Sequence, residues 1–147
     1  MNFREIRIMH QVLLYTNLML VISLIYFFFY SNKNCMETML ALTLVAVIIT
    51  SQIFWRNPVR GSAIHKIDRI IAKVCIFSFI IYTIIYKFTT VEISVIYSIL
   101  LLYIGLATWS SDRHSKMKWC SPDHIKSHAF LHYFCFMATF FAFLQLV

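Results

Sequence analysis

Five apolar runs, separated by short polar segments, constrain this chain more than any other feature of its sequence. Each run reaches the roughly 17 to 25 residues that an α-helix needs to cross a bilayer core of about 30 Å. The chain has 147 residues, 61% hydrophobic and 13% charged, too little charge to cover so much apolar side chain in water. We therefore predict an all-α integral, multi-pass membrane protein. Its single transmembrane domain covers residues 1–147, with spans at about 8–30, 37–55, 67–87, 91–109 and 127–147.

Basic residues predict the orientation of these spans. The formal net charge is +7, but Lys and Arg form short clusters between the apolar runs, so membrane topology explains them better than nucleic-acid binding. If the spans alternate in direction, all of the 13 basic residues except Lys33 and Lys87 fall on one side. The positive-inside rule then places the N-terminus in the cytosol and the C-terminus outside. The expected partners are membrane lipids, and we predict no nucleic-acid partner; the membrane and the oligomeric state stay open.

Three histidines, His124, His128 and His132, follow one another every four residues where the last apolar run begins. Positions four apart lie on one helical face with Cβ atoms about 5 to 6 Å apart, so His128 and His132 can share one metal ion. His124 lies about 12 Å along the axis from His132, too far to join the same ion from a straight helix. The other interpretation is that imidazoles at a membrane boundary stay neutral and reach interfacial water.

An acidic residue lies at the same predicted boundary. Asp68 stands at the start of the third span, with His65 three residues earlier on the same helical face. An ionisable residue at membrane depth is costly unless it is paired or used in function. Two interpretations therefore stay open: Arg60, Arg69 or Lys73 neutralises Asp68, or Asp68 belongs to a site with the histidines.

Ser51, Asp68 and the HxxxH pair His128 and His132 stand in an order that resembles the CREST superfamily of membrane hydrolases and receptors. That superfamily includes alkaline ceramidases and the progestin and adipoQ receptors. The resemblance implies a zinc-dependent hydrolase of lipid amide or ester bonds with a cytosol-side site, in which Asp68 and Ser51 help to hold or activate the metal-bound water. The chain departs from the pattern in having five predicted spans rather than seven, and Trp55 where the first His ligand is expected.

Because Trp55 has no lone pair for zinc, a third ligand must come from elsewhere; a catalytic zinc takes three protein ligands and keeps one open position. His65 is the first candidate and His124 the second. Alternatively, Asp68 binds the metal directly, with His65 as its hydrogen-bonded neighbour. The remaining possibility is a non-catalytic structural or interaction protein, either a CREST-like fold without its ligand set or an envelope component.

Other polar features narrow these classes. One HxxxH motif is too few for a di-iron lipid oxidase with several histidine boxes, and two glycines leave no filter-like run for a channel. The four cysteines contain no CxxC pair, so a cysteine-based zinc site is not predicted. Ser51, with its neighbours Thr50 and Gln52, is expected to face the interior of the bundle.

Overall fold

Five α-helices make up the structure, a computed structural model that describes residues 3–144 and the side chains of residues 11–144. They are α1 (Phe3–Tyr30), α2 (Cys35–Arg56), α3 (Ala63–Tyr86), α4 (Val91–Met117) and α5 (Pro122–Phe143). Within the described range there is no strand, so the all-helical prediction is confirmed there. The basic side chains of Arg4 and Arg7, and positions 145–147 of the fifth predicted span, lie outside the described part of the chain.

Polar side chains mark where four of the helices begin. Asn34, Ser62, Thr90 and Ser121 each accept a hydrogen bond from the backbone N–H three residues ahead. Each bond satisfies a donor that the first helical turn leaves without an intrahelical partner. Pro122 is at the start of α5, where its missing N–H costs nothing. The last helix therefore begins at Pro122, with Ser121 as its cap.

Four of the helices are long and apolar enough to cross a membrane. They are α1 over Gln11–Tyr30 and the whole of α2, α3 and α4, as an integral, multi-pass membrane protein requires. The fifth helix, α5, is as long as α2, with 22 residues. Its three histidines lower its mean hydropathy. A fifth span and the orientation of the termini stay predictions.

The helix α5 lies at the centre of the bundle. It packs extensively against α1 and α4 and also touches α3, while α2 packs between α1 and α3. Hydrogen bonds and ring contacts at matching heights show that α1 and α5 run parallel, whereas α5 is antiparallel to α4, and α2 is antiparallel to both α1 and α3. We call the end that holds the start of α5 and the end of α2 the histidine end, and the opposite one the Glu37 end.

Apolar side chains fill the bundle and also cover its outside. Leu20, Leu44, Phe79 and Phe143 belong to one buried cluster drawn from α1, α2, α3 and α5. Large apolar residues such as Phe77 are exposed on the outer faces, as helices in contact with lipid require. Because lipid is as apolar as the core, burial alone gives little drive for the helices to associate.

Polar contacts between helices therefore matter for this bundle. The amide of Asn17 on α1 donates to the Ile48 carbonyl on α2 at 3.1 Å, and Gln52 on α2 donates to the Leu14 carbonyl on α1 at 2.8 Å. These two bonds lie at neighbouring heights on the same helix pair. They fix the register of α1 against α2.

Candidate functional site

The carboxylate of Asp68 lies between α2 and α3, at the histidine end. One of its oxygens, Oδ1, accepts hydrogen bonds from Ser51 Oγ at 2.6 Å and from Thr50 Oγ1 at 3.2 Å. Both Asp68 and Ser51 are buried. Hydroxyl groups that donate to a carboxylate form short, charge-assisted bonds. The expectation that Ser51, Thr50 and Gln52 face the interior is confirmed, because all three bond to a neighbouring helix.

The basic residues near Asp68 do not neutralise it. Arg69 points to Asp112 on α4, at 3.8 Å between exposed side chains. Among the described residues Asp68 takes part in no ion pair, so the structure does not bear out pairing with Arg60, Arg69 or Lys73. The carboxylate is held by hydroxyl groups instead.

The three α5 histidines lie in a row along one face of their helix, as their spacing predicts. The ring centroids are 5.9 Å apart for His124 and His128, and 4.8 Å apart for His128 and His132. His124 and His132 are buried, and His128 is partly exposed. The rings of the HxxxH pair are therefore close enough for one ion to lie between them.

A hydroxyl on α1 contacts the ring of His132. The Thr16 Oγ1 atom lies 3.0 Å from His132 Nδ1 and 3.3 Å from the Leu13 carbonyl oxygen, and its one proton can go to either acceptor. When Thr16 donates to Leu13, it accepts from Nδ1–H of His132. The neutral ring then carries its lone pair on Nε2, the nitrogen through which a metal could bind.

His128 is held in a similar way from α4. Its Nδ1 lies 3.0 Å from Ser111 Oγ, and either atom can be the donor. When Nδ1 donates, the Nε2 lone pair of His128 is also open. His128 and His132 therefore have the chemistry of metal ligands whose other nitrogen is oriented by a hydrogen bond.

The two candidates for the third ligand, His65 and His124, are protonated on Nε2. The Gly61 N–H donates to His65 Nδ1 at 2.9 Å, and the Cys120 N–H donates to His124 Nδ1 at 3.2 Å. A backbone amide can only donate, so Nδ1 is unprotonated in both rings and the proton of the neutral ring is on Nε2. In this arrangement neither ring has a lone pair free for a metal. Burial raises the pKa of the Cys120 thiol to about 11, so the metal-free thiol is protonated at neutral pH.

Trp55 stands where the resemblance expects the first His ligand, and it contacts the histidines directly. Its ring centroid lies 4.9 Å from that of His128 and 6.1 Å from that of His124. It is also stacked on Trp119, with centroids 6.3 Å apart and planes within 12°. Trp55 is 1% exposed, and its indole N–H has no hydrogen-bond partner in the described part of the chain. A bulky, metal-inert ring therefore fills the space beside the HxxxH pair.

The predicted site residues fall into two pairs. The structure joins Ser51 to Asp68 and His128 to His132, and it shows no hydrogen bond between these pairs among the described residues. Among the described side chains, those of residues 11–144, no three of His, Cys, Asp or Glu form a group that could hold a metal ion. The His128 and His132 rings, with centroids 4.8 Å apart, are close enough to share an ion, but the described side chains do not supply the third ligand that a catalytic zinc requires.

The hydroxyl partners of the histidines could not be identified from the sequence. Thr16 and Ser111 lie in apolar helices that also contain other hydroxyl residues. Such residues often bond only to their own helix backbone, as Thr108 does to the Ile104 carbonyl at 2.7 Å. Nothing in the local sequence distinguishes a hydroxyl that contacts a histidine on another helix from one that bonds to its own helix backbone.

A second buried polar cluster lies at the Glu37 end. Glu37 is 2% exposed and accepts hydrogen bonds from Tyr82 Oη at 2.7 Å and Ser31 Oγ at 3.1 Å. Lys87, also buried, donates to the Leu144 carbonyl at 2.8 Å. Burial lowers the pKa of Lys87, and the Glu37 carboxylate opposes that shift. The one signal for this cluster is an acidic residue in the first turn of an apolar helix.

Comparison of the chain with protein-family models, with curated proteins and with solved structures finds no match.

Proposed function

We propose that this chain is a non-catalytic, multi-pass membrane protein in which the residues of the CREST-like pattern join the helices. The observation that carries the proposal is that each matched residue makes its polar contact on a different helix. Ser51 bonds across α2 and α3 to Asp68. His132 and His128 bond from α5 to α1 and α4.

These contacts suit a structural role because lipid gives little drive for helix association. Polar contacts between membrane helices contribute on average about 0.6 kcal/mol each and at most about 1.7 kcal/mol. Their larger effect is on register, since a shifted helix would leave a buried carboxylate or imidazole without a partner. The five helices are thereby held in one arrangement.

Trp55 supports the same proposal. A tryptophan fills the place of a ligand and packs on His128 and Trp119. Such packing gives van der Waals contact, the main attraction between helices in lipid. It supplies no nitrogen lone pair to a metal.

The experiment that tests the proposal measures metal content and stability together. The chain is purified in detergent without chelator, and zinc per chain is measured for the wild type and for His128→Ala combined with His132→Ala. We expect less than ~0.1 zinc per chain in both, with a lower resistance of the double variant to unfolding. About one zinc per wild-type chain, lost in the double variant, would contradict the proposal.

The second candidate is a zinc-dependent hydrolase of lipid amide or ester bonds. It is favoured by the 4.8 Å ring spacing of His128 and His132, by the contact of His132 Nδ1 with Thr16, which leaves Nε2 without a hydrogen bond to the described residues, and by the Ser51 to Asp68 bond. Its substrate would enter from the bilayer. The test is release of fatty acid from a ceramide and from a phospholipid in reconstituted vesicles, with Asp68→Asn as the control. Release by the wild type alone would establish this candidate.

We also propose that the N-terminus is cytosolic and that α5 is a fifth span, which places the C-terminus outside. Both proposals rest on the uneven distribution of Lys and Arg. Cys35 is exposed at the first residue of α2, a position predicted to face outward. A membrane-impermeant maleimide added to intact cells should label Cys35, and the Cys35→Ser variant should stay unlabelled. Labelling of Cys35 only after the membrane is opened would show that the orientation is the reverse of the one proposed.

A further inference from the structure

The exposed positive charge of the bundle lies almost entirely at the histidine end. Nine Lys and Arg side chains are exposed there, whereas Lys33 is the one exposed basic residue described at the Glu37 end. Asp112 is the one described acidic residue that forms ion pairs, with Arg69 at 3.8 Å and Lys116 at 2.6 Å. The other seven exposed cations at this end have no ion-pair partner in the described structure. The surface thus carries an excess of unpaired positive charge.

Three of these cations surround one carboxylate in the gap between α3 and α4. Arg69 and Lys116 contact Asp112, and Lys73, one turn after Arg69 on α3, is close enough to act on it electrostatically. The two helices make little contact with each other, so these exposed side chains bridge an open cleft. Because three positive charges meet one negative charge, the cleft keeps a net charge of about +2.

The position of these cations along their helices suits the headgroup region of a membrane. Arg69 and Lys73 lie six and ten residues into α3, where the polar start of that helix passes into its apolar part. On α4, Trp109 is 61% exposed and the guanidinium of Arg113 lies 5.3 Å from the centre of its ring. An exposed Trp next to a cation is typical of the interface between headgroups and hydrocarbon. The nearest abundant anions at this depth are lipid phosphates.

We propose that Arg69, Lys73 and Lys116, arranged around Asp112, bind the phosphate of an anionic lipid headgroup. Arg69 offers a planar guanidinium that can bind phosphate oxygens in pairs, and the two lysines add point charges. The cleft is open to the bilayer, so the acyl chains stay in the membrane while the phosphate reaches the cations. This proposal is independent of whether the histidines bind a metal.

The test measures lipid binding to the purified chain in detergent by native mass spectrometry. The probes are phosphatidylglycerol and phosphatidylcholine at equal concentration, with inorganic phosphate as a competitor. Arg69→Gln, Lys73→Gln and Lys116→Gln form the site variant. Arg56→Gln, Lys118→Gln and Lys126→Gln form the control, which removes the same charge from exposed positions outside the cleft.

The wild type should bind phosphatidylglycerol over phosphatidylcholine by about tenfold. The site variant should lose on the order of tenfold to a hundredfold of its affinity for phosphatidylglycerol, and the control should stay within about threefold. Asp112→Asn, which removes the competing carboxylate, should bind this lipid several-fold more tightly, a gain that no folding defect would produce. Equal losses of affinity in both triple variants, or no gain of affinity in Asp112→Asn, would overturn the proposal that the cleft binds the lipid phosphate. Displacement of the lipid by equimolar inorganic phosphate would make free phosphate its ligand instead.

Discussion

The Ser51 hydroxyl donates a 2.6 Å hydrogen bond to the Asp68 carboxylate, 17 residues further along the chain. The two residues lie on consecutive helices, near the end of α2 and the start of α3. Because the carboxylate is buried, it needs donors from inside the bundle. This bond therefore sets how α2 lies against α3.

Replacement of Ser51 by alanine should lower the free energy of unfolding by about 1 to 2 kcal/mol, since a buried carboxylate loses one of its two donors. Ser94→Ala is the matched control, because Ser94 donates to the Thr90 carbonyl of its own helix at 2.8 Å. The measurement is the unfolded fraction in mixed micelles as the share of denaturing detergent rises. Equal stability of the two variants would show that the Ser51 bond is not a significant contact.

The contact between Thr16 and His132 should appear as a coupling energy between α1 and α5. In a double-mutant cycle of Thr16→Val and His132→Ala we expect a coupling of roughly 0.6 to 1.7 kcal/mol. Thr108→Val replaces Thr16→Val in the control cycle, because Thr108 bonds within its own helix. Additive effects in both cycles would contradict the hydrogen bond.

Trp55→His should create a metal site that the present chain does not complete. The new imidazole would stand beside His128, whose ring now lies 4.9 Å from that of Trp55, and it would give the HxxxH pair its third ligand. We expect close to one zinc per chain, lost again when His128→Ala is added.

Ile53→His is the control for that experiment, because Ile53 is 53% exposed on the same helix and faces away from the bundle. Zinc bound equally by both His variants would indicate adventitious binding. No zinc in Trp55→His would argue against a CREST-like arrangement of α2 and α5.

Tyr82→Phe should destabilise the bundle by about 1 to 2 kcal/mol, because the buried Glu37 carboxylate loses the donor at 2.7 Å. Tyr86→Phe, at a position that is 52% exposed, should change the stability by less than about 0.5 kcal/mol. Thermal unfolding in detergent, followed by circular dichroism, measures both. Equal effects would mean that the Tyr82 hydroxyl is not needed to hold Glu37.

The apolar runs anticipated the helices better than they anticipated the helix ends. The fourth predicted span stops at residue 109, whereas α4 continues to Met117. Hydropathy reports which residues suit lipid, and a helix can extend beyond the membrane on polar residues. Capping residues mark a helix end more closely than hydropathy does, since Ser121 before Pro122 stands at the start of α5.

The candidate site was predictable only where a pattern joins residues on different helices. The resemblance assigned Ser51 and Asp68 to one site, and they share a hydrogen bond; the spacing of four predicted that His128 and His132 lie on one helical face, and their rings are in contact. Spacing says nothing about which nitrogen of an imidazole is protonated. That depends on neighbours such as the Gly61 amide beside His65, which only the folded chain brings there.

Composition and the period of apolar runs determined by themselves that the chain is helical and suited to a membrane, because these properties depend on local hydrogen bonding and on transfer to lipid. The tertiary structure decided the partners. It bonded Asp68 to two hydroxyls rather than to an arginine, joined His132 to Thr16 and buried Glu37 under Tyr82. The physical reason is that a polar group in lipid must find its partner on whichever helix packs next to it, and helix packing depends on contacts between residues far apart in the chain.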